Sequence, residues 1–146
     1  MRILTLITSF LFFASSATAA DWIVKESPHS VEKTVAQLTA VIEKAGATVF
    51  ATVDHAGGAS KVGLELAPST LVIFGNPKIG TPIMQNAIRA GLDLPIRVLV
   101  FEEDRQTKVG YLDPAALKAR YAIDGADEPF KKMTGALNKL TDAAIK

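Results

Sequence analysis

No cysteine occurs in the 146-residue chain. That excludes disulfides, thiolate metal sites and thiol redox chemistry. Histidine is almost missing as well, with only His29 and His55. A zinc site needs three or four Cys, His or carboxylate ligands in close spacing, so no metal and no cofactor is expected. An imbalance of charge is also lacking. With Arg2 set aside, 15 basic residues face 15 acidic ones. A nucleic-acid surface needs a clustered basic excess, so no nucleic-acid partner is expected. No run of like charge forms a tail. No G-x-S-x-G elbow occurs, which leaves a Ser-His-Asp triad without support.

What is present begins with an address. Arg2 supplies positive charge, Ile3–Phe13 is an almost unbroken apolar run, and Ala17-Thr18-Ala19 offers an A-x-A cleavage site. This order predicts a secretory signal over residues 1–19. The apolar run is too short to span a bilayer comfortably, since a span needs about 20 apolar residues. The expected product is a single domain over residues 20–146, periplasmic or secreted, with no membrane contact after cleavage.

Along that domain, Trp22–Lys25 reads as a short strand. Ser30 offers a helix cap, and Val31, Val35, Leu38, Val41, Ile42 and Ala45 follow the helical period up to Gly46. Thr48–Val53 reads as a strand. The stretch DHAGGASKVG, residues 54–63, is so small and glycine-rich that a loop, or a loop holding one helical turn, is expected. Leu71–Phe74 is a strand and Pro82–Ala90 a short helix ended by Gly91. Ile96–Phe101 is apolar on both alternating faces, as a central strand covered on both sides is. Lys108–Leu112 returns after a polar turn. Asp113-Pro114 caps and opens a further helix, which Asp124-Gly125 breaks. From Glu128 onward, Phe130, Met133, Leu137, Leu140 and Ala144 form one helical stripe, expected to be core or dimer contact. The order β-α-β-β-α-β-β-α-α predicts an α+β fold with two layers. Its sheet is mostly antiparallel or mixed, with helices packed on one face.

The stretch LVIFGNPKIGTPIMQ, residues 71–85, carries the one suggestive corner. Gly75 and Gly80 have the four-residue gap of a phosphate loop. However, Thr81 follows the second glycine directly, Lys78 sits inside the loop, and Pro77 removes an amide. The corner is therefore not a Walker motif. One reading is a helix start capped by Thr81, with Pro82 at the first helical position and free amides that hold a small anion. Gly75, Asn76, Lys78, Gly80 and Thr81 are then the binding residues. The other reading is a structural corner whose glycines permit unusual backbone angles. Asp93, ahead of Leu94-Pro95, is expected to bond local backbone amides and fix a turn.

Residues 63–103, GLELAPSTLVIFGNPKIGTPIMQNAIRAGLDLPIRVLVFEE, resemble the core signature of the domain of unknown function 302 family, with FGNPKIGTP and LDLPIRVLV its most specific blocks. The resemblance runs from the helix after Ser30 to the Tyr111–Tyr121 region. It implies a compact two-layer α+β domain, often a homodimer, without a settled activity. His55 matches a position where relatives commonly carry histidine, and some relatives have a second histidine where this chain has Tyr121.

Three functions follow as expectations. The first is an exported, non-enzymatic domain that binds a small molecule or serves in stress. The second is a small enzyme in which His55 is a general acid or base and Lys78 or Thr81 orients an anionic substrate. The third is an interaction protein built around a homodimer surface. If the strands ending at Val53 and Phe74 are neighbours that release their loops at one edge, His55, Lys78 and Thr81 share a cleft.

Overall fold

The computed structural model describes residues 21–146. The expected signal, residues 1–19, lies outside them. Five strands form one sheet: β1 Trp22–Ser27, β2 Thr48–Asp54, β3 Ser69–Gly75, β4 Ile96–Glu103 and β5 Gln106–Leu112. Their order across the sheet is β1-β5-β4-β3-β2, and every neighbouring pair is antiparallel. The helices are α1 Val31–Lys44, α2 His55–Lys61, α3 Pro77–Asn86, α4 Pro114–Arg120 and α5 Asp127–Ala144, with a 3-10 turn over Ile88–Leu92. The architecture is α+β, as the alternation of short strand and helix signals predicts.

Several local expectations hold in detail. Ser30 caps α1, its Oγ accepting from the Lys33 amide at 3.2 Å. Gly46 takes φ +73° after that helix, a conformation that a Cβ disfavours. Asp113 caps α4, its Oδ1 accepting from the Ala115 amide at 2.8 Å. Between β4 and β5 the tip is Asp104-Arg105, at φ 53° and 62°. Positive φ at both central residues gives a turn whose twist matches that of the strands.

Two local expectations fail. Residues 54–63 hold more than the loop or single helical turn expected there, because α2 covers His55–Lys61, about two turns. Asp54 caps it, its Oδ1 accepting from the Gly57 amide at 2.8 Å. The cap offsets part of the low helix propensity of Gly57 and Gly58, and contact of α2 with β3 supports the helix further. The second failure is the start of α3. The cap is Asn76, not Thr81, with Oδ1 accepting from the Lys78 amide at 2.9 Å, and Pro77 takes the first position. Pro82 therefore lies inside the helix. Two cap-plus-proline signals stand five residues apart here, and the earlier one is used.

The core sits between one sheet face and α1 with α5. Val72, Phe74, Val98, Val100, Val109 and Tyr111 point from the sheet into it. Leu38 and Ile42 of α1 meet them, as do Phe130, Met133, Leu137, Leu140 and Ala144 of α5, so the predicted stripe is buried. Tyr111 is buried, and at the margin of the core its hydroxyl donates to Oδ1 of the exposed Asn138 at 2.8 Å. On the opposite sheet face, Val24, Gly110, Leu99, Leu71 and Val53 stand in one row across all five strands. Val24 and Val53 are exposed there. β4 is central as predicted, but among the described residues the helices of the core cover it on one face.

Candidate functional site

The antiparallel register decides what can share a site. Gly75 pairs with Thr48, and Asp54 pairs with Thr70. His55 follows Asp54 and so leaves the sheet at the end opposite to Gly75. Thr70 and Gly75 lie five residue steps apart along β3, about 17 Å at the rise of an antiparallel strand. The strands are neighbours, as expected, but they release their following segments at opposite edges. His55 is exposed at the first position of α2 and does not share a cleft with Lys78 or Thr81.

At the Gly75 end the chain gathers other material. The end of β3, the start of β4 and the end of β5 lie side by side, since Phe74 pairs with Ile96 and Val98 with Tyr111. The turn before β4 and helix α4 after β5 are thereby brought to the same edge. There a cavity of about 310 Å³ opens among β2, β3, the turn after α1, α3, α5 and the Leu94-Pro95 turn. Its wall is apolar: Phe50, Phe74, Met84, Leu94, Pro95 and Met133 supply most of the bulk. Gly75, Asn76, Gly80 and Thr81 of the suggestive corner also line it, whereas Lys78 and His55 do not.

That corner is built differently from either expectation. Residues 77–81 are already helical, so Gly80 sits within α3, and a Cβ added there would meet nothing within 4 Å. The glycines with positive φ are Gly46, Gly63 and Gly125. Gly80 is therefore not a backbone special case. Gly75 is a place of close approach, because a Cβ on it would stand 3.3 Å from Cβ of Pro95 and 3.7 Å from Cε2 of Phe50. The Lys78 amide, one of those that an anion would use, is held by Asn76.

Beside the apolar cavity lies a charged cluster. The Asp93 side chain is only 8% exposed. Its Oδ2 accepts from Arg120 Nη1 at 2.9 Å and from the Tyr121 hydroxyl at 2.8 Å, and its Oδ1 accepts from Arg97 Nη2. Burial alone would raise the Asp93 carboxyl. The hydrogen bonds from Tyr121 and Arg120, with the charges of Arg120 and Arg97, outweigh it and hold the carboxyl below its ordinary value. The Tyr121 phenol moves upward, through its hydrogen bond to Asp93 first and then through burial and the Asp93 charge. Asp93 thus fixes its turn through side chains rather than local amides. A second cavity of about 40 Å³ adjoins the cluster, lined by Asp93 and Arg97 together with Ile96, Leu112, Met133 and Leu137.

Sequence reading missed Arg97, Arg120 and Tyr121 as a unit. The four-residue step from Asp93 to Arg97 was visible, but nothing local ties Asp93 to Arg120, 27 residues away. Among the described residues, no group of three His, Cys, Asp or Glu side chains is close enough to hold a metal ion. No helix of the described residues is long and apolar enough to cross a membrane.

Known proteins resemble this chain at three levels. Residues 23–140 match the family described as domain of unknown function DUF302. The chain is 43% identical over 120 residues to a protein of Brucella suis biovar 1 named fluoride-specific ion channel FluC 1. That match covers 78% of this chain and 47% of the relative. A Brucella abortus protein of the same name is also 43% identical, with 44% of its length covered, so the chain spans less than half of these curated relatives. A crystal structure described as an uncharacterized conserved protein DUF302 from Bacillus stearothermophilus superposes with a TM-score of 0.70 at 19% identity. It covers 87% of this chain and 97% of that one, which shows a shared fold. With its match running from β1 into the last turns of α5, the chain belongs to the DUF302 family.

Proposed function

We propose that this protein is an exported, non-enzymatic domain that binds a small molecule with an apolar body. The observation that carries this reading is the apolar cavity of about 310 Å³ at the Gly75 end of the sheet. A concave, apolar site of about 300 Å³ or more with a few polar groups at its rim is the usual form of a small-molecule site. Asn76 and Thr81 supply such groups here. The anionic ligand expected at Lys78 and Thr81 gains no support from this lining, and the acid–base role expected of His55 gains none from its place at the far edge. Export rests on the Arg2, apolar run and A-x-A order. Sequencing the N-terminus of periplasmic material should find Ala20 first, and retention of Met1 would overturn that part.

The binding test is calorimetric titration of the purified domain with octan-1-ol, beside an Ala136→Phe variant that fills the cavity from α5. Binding to the wild type and its loss in the variant support the reading. Absence of heat and of any amide chemical-shift change up to the solubility limit of the alcohol overturns it.

A second reading is favoured by the apolar row Val24, Gly110, Leu99, Leu71 and Val53. Its occupant would be a second copy, because β4 carries apolar residues on the face that no core helix covers. Analytical ultracentrifugation tests it, with a stable monomer at tens of micromolar as the negative result. The channel name of the Brucella relatives belongs to proteins of which this chain matches less than half, and fluoride added in the same titration should give no heat.

A further inference from the structure

The segment Asp93–Arg97 runs between the two cavities. Leu94 and Pro95 line the larger one, Asp93 and Arg97 line the smaller one, and Ile96 lines both. Met133 and Leu137 of α5 complete the shared wall. Arg97, which lines the smaller cavity, and Arg120, which lines neither cavity, share the single Asp93 carboxylate, so the cluster keeps one net positive charge. Each guanidinium carries five N–H donors and gives one of them to Asp93. Both arginine side chains are about half exposed, at 46% and 47%. The remaining donors are therefore open to an acceptor. Asp93 offers little in return, since Oδ1 is taken by Arg97 and Oδ2 by Arg120 and Tyr121.

We propose that the ligand of the apolar cavity is an amphipathic monocarboxylate whose head is held by Arg97 and Arg120. This deepens the binding reading above and rests on it. The size follows from the larger cavity of about 310 Å³. That volume lies at the lower end of the range of about 300–1,000 Å³ for small-ligand sites, which suits a short apolar chain such as that of a medium-chain fatty acid. The head follows from charge and shape. One net positive charge matches a monoanion rather than a dianionic phosphate ester, and planar guanidinium forks match a planar carboxylate. The partition between body and head is the shared wall of Ile96, Met133 and Leu137, in which Met133 is the unbranched member, with three rotatable bonds that let it turn aside where its branched neighbours stay. The head then bonds to arginines that Asp93 and Tyr121 already hold in place, so little side-chain freedom is lost on binding.

The experiment compares octanoate with octan-1-ol, two probes of the same chain length that differ in the head. Both are titrated calorimetrically at neutral pH into the wild type and into the double variant Arg97→Gln/Arg120→Gln. Octanoate should bind the wild type about ten-fold more tightly than the alcohol, as a charge-assisted contact implies. In the double variant that preference should vanish while the alcohol's affinity stays the same. Equal affinity of the two probes for the wild type overturns the head assignment and leaves the cavity reading standing. An octanoate preference that survives the double variant overturns it too. Binding of neither probe overturns the cavity reading itself. If the double variant does not fold, Arg97→Lys replaces it. That variant keeps the charge beside Asp93 and loses the fork, and it should cut the octanoate preference while leaving the alcohol unchanged. An undiminished preference in Arg97→Lys overturns the role of the Arg97 fork.

Discussion

Tyr121 donates its hydroxyl hydrogen to Oδ2 of Asp93 at 2.8 Å, joining the end of α4 to the turn before β4 across 28 residues of chain. The bond acts on both partners' titrations in opposite senses. Asp93 is held below its ordinary value of 3.8 in the folded chain. The unfolded chain therefore binds a proton more readily in acid. The stabilisation is whole above pH 3.8 and is lost as pH falls through the folded value. Thermal midpoints measured below pH 5 should fall with acid more gently in Asp93→Asn than in the wild type. At pH 7 the same variant should lose about 1–2 kcal/mol, a charged-group hydrogen-bond contribution discounted for the half-exposed arginines.

Tyr121 gives the alkaline counterpart. Its phenol is raised above 10.0 in the folded chain, with the Asp93 hydrogen bond as the leading cause. That contribution is whole below pH 10 and is lost as pH rises through the folded value. Tyr121→Phe should lower the midpoint at pH 7 and flatten its decline between neutral and strongly alkaline pH. Matching slopes for variant and wild type would show that the hydroxyl contributes nothing.

Gly75 and Gly80 should respond in opposite directions. Gly80 lies in α3 with open space around a new Cβ, so Gly80→Ala should stabilise by about 0.5–1 kcal/mol. At Gly75 a Cβ would press on Pro95 at 3.3 Å. Gly75→Ala should destabilise the fold and narrow the cavity mouth. Denaturant midpoints at constant slope measure both. Equal losses at the two positions would place Gly80 in a strained conformation after all.

His55→Ala should leave stability within about 0.5 kcal/mol, as for most exposed positions. Octanoate affinity should not change either, because the register puts His55 at the far edge of the sheet. Altered binding in this variant would revive the shared cleft.

Trp22 reports on the open sheet face. A Cβ on Gly110 would stand 2.8 Å from Cζ3 of Trp22, so the ring lies directly over that glycine. Gly110→Ala must displace it. Trp22 is the single tryptophan of the chain, and its emission should shift to longer wavelength as the ring moves into water. An unmoved spectrum would mean that the ring does not rest on Gly110 in solution.

The sequence by itself determined the elements whose signals lie within a few residues of one another. Ser30 and Asp113 are caps, Gly46 ends α1, and the stripe from Phe130 to Ala144 faces the core, because capping and helical periodicity act over one or two turns. The family was legible for the same reason, in contiguous blocks such as FGNPKIGTP. The start of α3 was already beyond local reading, since Asn76-Pro77 and Thr81-Pro82 are equally good beginnings. Tertiary structure decided everything that joins distant residues. Antiparallel pairing of β2 with β3 sent His55 to one edge of the sheet and Gly75 to the other. Pairing of β4 with β3 and β5 then brought Pro95 beside Gly75 and carried Arg120 and Tyr121 to Asp93 at the same edge. Strand register is fixed by which faces can be buried together, and that depends on the packing of the whole sheet against α1 and α5 rather than on any one segment.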